Sequence, residues 1–192
     1  MGKRIEHFID TYVVFDLETT GLSCYEHEII EIGAIKVENN RVVDTYSSFV
    51  KPKNNIPYYI TRINGISNQM VRNAPGIDSA LTEFLEFTGE YPLLGHNIIS
   101  FDMKFINVVS KDLYGAGVHN DYIDTLLLSR QHLRNIKSHS LSSLCQYFDI
   151  DTSGAHRALA DSEMTNGIYQ KLRKLHKQHR ADKVERAILK DS

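Results

Sequence analysis

The stretch at residues 12–22, Tyr-Val-Val-Phe-Asp-Leu-Glu-Thr-Thr-Gly-Leu, limits what this chain can become. Its β-branched and aromatic start reads as a buried strand, so the chain has to build a sheet around it. Asp16 and Glu18 stand at the strand's end, separated by one residue. Strand side chains alternate between faces, so these two acids share a face, with Cα atoms roughly 6.5 Å apart. Two like charges leaving a core strand together need something to offset them, and a hard, oxygen-seeking cation such as Mg²⁺ or Mn²⁺ suits them. Standing alone, an Asp-x-Glu pair is more often a strand end whose acids run into water. Other parts of the chain shift that balance.

With 192 residues, 42% of them hydrophobic, the chain can bury roughly 70% of its unfolded surface around one core. We expect a single domain over residues 1–175, followed by a basic helical tail over 176–192 that is not a second domain. Cys24 and Cys145 are the only cysteines, too few for a disulfide scaffold and not spaced for zinc, which fits a reducing compartment. Nothing near Cys24 activates it as a nucleophile. The first residues lack the apolar run of a signal peptide, and no segment approaches membrane-spanning length, so a cytoplasmic location is expected. Residues 171–192 hold eight Lys/Arg against three Asp/Glu, a net of +5 that leaves −7 on residues 1–170. An acidic body suits a site that collects cations, and a basic end could meet phosphates or simply be a solvated helix.

Further strands are expected at 28–37 and 41–50, joined by the turn signal Asn39-Asn40, so that the first three strands form an antiparallel meander. Pro52 and Pro57 break the pattern, and 60–66 reads as loop. From Ile77 the period becomes helical, with Ile77, Leu81, Phe84 and Leu85 on one face. A short strand at 93–96, a helix through Phe101 and Phe105, a fifth strand at 121–124 and helices at 125–133 and 141–148 follow. A long last helix begins after Ala155 and turns Met164, Ile168, Leu172 and Leu175 inward. Three antiparallel strands followed by two parallel ones in strand–helix units define a mixed five-stranded α/β sheet flanked by helices.

Two further places carry chemistry. Gly95-His96-Asn97 with Phe101-Asp102 sits where a strand ends and a helix begins, the end of an α/β sheet at which ligands collect. In Ala155-His156-Arg157-Ala158-Leu159-Ala160-Asp161, five positions on one unbroken helix would leave His156 and Asp161 well apart around the axis. A helix that starts between them lets His156 reach Asp161's site from the preceding loop, and Gly154 supports such a break.

Together these motifs resemble those of the DEDDh branch of the DnaQ-like exonucleases. The matching residues are Asp16-Leu-Glu18-Thr-Thr-Gly-Leu22, then His96-Asn97 with Phe101-Asp102, then His156-Arg-Ala-Leu-Ala-Asp161. The similarity runs over about residues 10–175, takes in Ile63-Asn64-Gly65-Ile66 and Ile123-Asp124-Thr125-Leu126, and is strongest toward the proofreading domains of bacterial replicative polymerases, the PolC type above all. It implies a ribonuclease H-like fold. It also implies that Asp16, Glu18, Asp102 and Asp161 hold two divalent ions, Mg²⁺ or Mn²⁺, with Asp16 bridging, Asp102 acting partly through water and His156 as general base. Two ions about 3.5–4 Å apart can acidify a water and stabilise a departing 3′ oxygen, and an imidazole is suited to take a proton near neutrality.

The resemblance further places Thr19 and Leu22 against a terminal nucleotide, and His96, Asn97 and Phe101 along the path of the one before it. Phe101 fits a core position equally well. The expected reaction is 3′→5′ removal of nucleoside 5′-monophosphates from single-stranded DNA ends, in proofreading or repair. RNA trimming is the runner-up, and a non-catalytic module that holds a 3′ end or a polymerase is the rival of another class. The full set of acids and the histidine argues against that rival. The 192 residues hold no polymerase, so a polymerase partner or independent action is expected; no membrane is implied, and no oligomeric state is set.

Overall fold

Five strands form one sheet in the order β3-β2-β1-β4-β5. The computed structural model describes residues 2–188, with side chains through residue 181; the expected basic tail therefore lies partly outside the described residues. Strands β1 (Tyr12–Thr19), β2 (Ile29–Glu38) and β3 (Arg41–Phe49) make the antiparallel meander. Strands β4 (Leu93–Gly95) and β5 (Tyr122–Asp124) add to it in parallel. Asn39 and Asn40 both take left-handed backbone, φ 51° and 62°, the turn geometry that matches the twist of paired strands.

The helices are α1 (Tyr58–Asn64), α2 (Asn68–Val71), α3 (Ile77–Thr88), α4 (Asp102–Tyr114), α5 (Thr125–His132), α6 (Leu141–Phe148) and α7 (Ala158–Ile188). Helix α1 lies where a loop was expected. Pro57 caps this helix instead of merely breaking a strand: it stands just before the first turn in extended backbone, and its carbonyl accepts from the Ile60 and Thr61 N–H groups at 2.9 and 3.2 Å, while Gly65, at φ 74°, ends the helix. Among the described residues no helix is long and apolar enough to cross a membrane.

Strand β1 separates two cores. Val13, Phe15 and Leu17 pack with Ala80, Phe84, Met103 and Ile106 of α3 and α4. Tyr12 and Val14 pack on the other face with Leu128, Leu144, Met164 and Ile168 of α5, α6 and α7. Phe15 and Phe84 are both fully buried, with ring centroids 5.1 Å apart, and each contributes about 1.5–3 kcal/mol by leaving water. The two-residue period carries the Tyr12–Val14 face onward to Asp16 and Glu18, so the sheet aims both acids toward the α7 side.

Candidate active site

At its exit end β1 changes register against β2 between Glu18 and Thr19, an irregularity of the kind that re-aims side chains. Asp161, in the first turn of α7, comes down onto the same face. Oxygens of Asp16, Glu18 and Asp161 all lie within 4.8 Å of one another. Asp102, the first residue of α4 and 3% exposed, stands behind them with Oδ1 accepting from the Leu17 backbone N–H at 3.2 Å. Four carboxylates from three separated stretches therefore converge on one strand end.

Their titration shifts all point one way, and burial is the first cause in each. Asp16 is raised well above the usual carboxylate range, by burial and then by the charges of Asp102, Asp161 and Glu18. Glu18 is raised to about 7 against the opposing hydrogen bond from Asn64. Asp102 is raised to about 8 although its own and Leu17's backbone N–H groups favour the charged form. Asp161 is raised too, with the His156 backbone amide opposing the shift. Desolvated acids that push one another upward in this way match the all-oxygen donor set that a divalent cation requires.

Asn64 closes one side of the cluster: its Nδ2 donates to Glu18 Oε2 at 3.0 Å while its Oδ1 accepts from the Ile66 N–H at 3.0 Å. The residue is 5% exposed and both ends of its amide are held, so it fixes Glu18's orientation. Beside it opens a cavity of 580 Å³ lined by Glu18, Thr19, Leu22, Tyr59, Asn64 and Phe101, among others. Leu22 is 86% exposed, which excludes a core role. Phe101 does both things considered for it, packing on Phe105 at 5.1 Å between ring centroids while facing this cavity. A Cβ at Gly21 would fall 1.7 Å from the His27 ring, so any larger residue here displaces that side chain.

On the opposite side of the cluster, Asp161 and His156 line a second cavity of 620 Å³ that reaches α6. Helix α7 begins at Ala158, between the two residues, as the spacing requires. His156 is exposed and holds left-handed backbone at φ 68°. His96 and Asn97 are not brought to the 580 Å³ cavity: His96 Nδ1 hydrogen-bonds Thr125 Oγ1 at 2.9 Å, and the Asn97 N–H donates to Asp124 at 3.0 Å. Asn64, Glu31 and Arg157 were missed as candidates. Asn64 and Arg157 each had a signal, a place in the motifs Ile63-Asn64-Gly65-Ile66 and His156-Arg-Ala-Leu-Ala-Asp161, whereas Glu31 had none.

The chain belongs to the RNase_T exonuclease family, whose sequence profile matches residues 13–169, and this family depends on divalent metal. It is 43% identical over 161 residues to a PolC-type DNA polymerase III of Caldanaerobacter subterraneus subsp. tengcongensis, covering 84% of this chain and 11% of that one. It is 37% identical over 171 residues to the DNA polymerase III subunit epsilon of Aquifex aeolicus, covering 88% of this chain and 84% of the relative. This chain therefore spans about a ninth of the PolC-type relative's length and most of the epsilon subunit's. Among solved structures, E. coli Exonuclease I in complex with a dT13 oligonucleotide matches at a TM-score of 0.75 and 18% identity, over 88% of this chain and 42% of that one. The shared fold is ribonuclease H-like.

Proposed function

We propose that this chain is a 3′→5′ exonuclease that removes nucleoside 5′-monophosphates from single-stranded DNA ends. The observation that carries the reading is the cluster of Asp16, Glu18 and Asp161 within 4.8 Å, set between a cavity able to hold a nucleotide and one that exposes a histidine. The relatives, a PolC-type DNA polymerase III and a DNA polymerase III subunit epsilon, and the oligonucleotide held by Exonuclease I support DNA as substrate and a polymerase as partner. Two divalent ions, Mg²⁺ or Mn²⁺, would be held by Asp16, Glu18 and Asp161, with Asp102 behind. Bound there, they would supply Lewis-acid stabilisation of the phosphoryl oxygens and of the departing oxygen.

The chain's own residues do the rest. Asn64 holds Glu18 so that its free oxygen faces the cluster. Thr19 and Leu22 receive the terminal nucleotide in the 580 Å³ cavity, where the Phe101 ring can stack on a base for about 1–3 kcal/mol whatever its identity. The preceding nucleotide would pass Phe101, His96 and Asn97. A ring nitrogen of His156 takes a proton from the attacking water, the water oxygen bonds to phosphorus as the phosphorus–O3′ bond breaks, and O3′ takes up a proton from solvent to become the 3′-hydroxyl of the shortened strand.

The test uses single-stranded DNA and RNA oligonucleotides labelled at the 5′ end, with Mg²⁺ or Mn²⁺. The expected result is a ladder of DNA products shortening from the 3′ end and abolished by chelator. Intact DNA and RNA under both metals would refute the enzyme reading, and a ladder on RNA alone would move the substrate to RNA.

A further inference from the structure

Glu31 is the acid near the cluster to which the proposed reaction assigns no task. It pairs with Glu18 across β1 and β2, so both side chains rise from the same face of the sheet, yet it is 1% exposed and its carboxylate is already engaged. Oε1 accepts from Arg157 Nη2 at 2.7 Å and from Nε at 3.1 Å. Oε2 accepts from the same Nε at 3.2 Å and from the Ala158 backbone N–H at 3.1 Å. The single Nε hydrogen is shared between the two oxygens, so three N–H donors engage both of them, and Glu31 is not among the acids whose oxygens converge within 4.8 Å.

Ala158 is the first residue of α7, where unsatisfied N–H groups and the positive end of the helix dipole favour a carboxylate. The Arg157 guanidinium also lies 4.9 Å over the Phe49 ring of β3, which shields it from water on that side. Through its main chain Arg157 reaches the site itself. Its carbonyl accepts from the Asp161 N–H at 2.9 Å, and its neighbour His156 holds the left-handed backbone. Nearby, a Cβ on Gly33 would fall 2.1 Å from the Leu159 nitrogen, and Ser162 Oγ donates to the Gly33 carbonyl at 3.0 Å. The first turn of α7 is thus seated directly on β2, and the fork of Arg157 and Glu31 sets its rotation and register.

We infer that Arg157 and Glu31 are a positioning pair that sets His156 and Asp161 against Asp16 and Glu18, with Glu31 itself outside the cation's ligand set. This rests on the reading of those residues as the cleavage site. A bidentate, planar fork is needed, because a single point charge would leave the turn free to swing.

The test measures kcat and KM on a 5′-labelled DNA strand, together with Mn²⁺ affinity by titration calorimetry. Arg157→Ala is expected to lower kcat about 10–100-fold with KM little changed, and to weaken Mn²⁺ binding about tenfold, since Asp161 shares the displaced turn. Added guanidinium ion restores part of the lost kcat. The double variant Glu31→Leu/Arg157→Leu fills the interface with apolar groups and keeps the fold, and is expected to lose kcat to a similar extent. Wild-type kcat and Mn²⁺ affinity in either variant would overturn the inference, as would losses that follow global unfolding and show no guanidinium rescue. Cleavage by the wild-type chain is the control. Without it the cleavage reading fails, and Mn²⁺ affinity alone then decides for or against the pair.

Discussion

Asp16 and Glu18 leave a central strand whose apolar neighbours are buried on both faces, whereas His156 stands exposed on the turn before α7. The strand side is rigid and desolvated, and its acids cannot relieve their repulsion by moving apart. The loop side is open to water, and its histidine sits in a backbone conformation that costs about 1–3 kcal/mol outside glycine. Each suits its proposed task. Ion ligands need fixed spacing and a low dielectric, while a group that takes a proton from water and passes it on needs access to solvent. Arg157 joins the two regions, with its side chain on β2 and its carbonyl on Asp161.

That contrast can be broken experimentally. The largest effect is expected for Asp16→Asn, which should cut turnover by at least about a thousandfold. The same change should raise the melting temperature of the metal-free chain near about pH 8. All four acids have folded-state pKa values raised above the unfolded ones, to about 7 for Glu18 and about 8 for Asp102, so they favour folding at low pH and lose that contribution as pH rises, and removing one relieves the folded state. A lower melting point there would contradict the account of the strand side. Next, His156→Ala should lower kcat by about 10²–10⁴-fold while Mn²⁺ affinity and melting temperature stay as in the wild type. Loss of metal binding would place the histidine among the ligands and erase the contrast.

Asn64→Ala should cost about 10–100-fold in turnover or metal affinity, as the loss of a partner that orients a ligand usually does. Unchanged kinetics and Mn²⁺ binding would show that β1 alone orients Glu18. The smallest change is expected for Leu22→Ala, a rise in KM of about fivefold with kcat retained, from about 1 kcal/mol of lost contact with a base. A fall in kcat with unchanged KM would instead assign Leu22 to the chemistry.

The strand side was readable from residue order because its signals are local. Alternation places Asp16 and Glu18 on one face, Asn39-Asn40 forms the hairpin turn that it suggests, and the helical period after Ile77 matches α3. The break before Asp161 followed from the angle that one unbroken helix would impose. The helix at 58–64 was missed because Pro57 carries two meanings, strand breaker and helix starter, and only its neighbours' packing chooses between them. Glu31 reads in sequence as one polar residue in a β-strand; its partner lies 126 positions away, and no local pattern announces a pairing across that distance. His96 carried a motif but gave no direction, since its hydrogen bond to Thr125 depends on how β4 meets α5.

The raised acids predict a cluster that stays partly protonated until a divalent cation takes the protons' place. Titration calorimetry of Mn²⁺ into the metal-free chain at about pH 7, repeated in buffers of different ionisation enthalpy, measures the protons released on binding. With Glu18 raised to about 7 and Asp102 to about 8, binding should release about one proton or more per chain, less in Asp16→Asn and unchanged in His156→Ala. Binding without proton release, or release that vanishes with His156, would contradict the account.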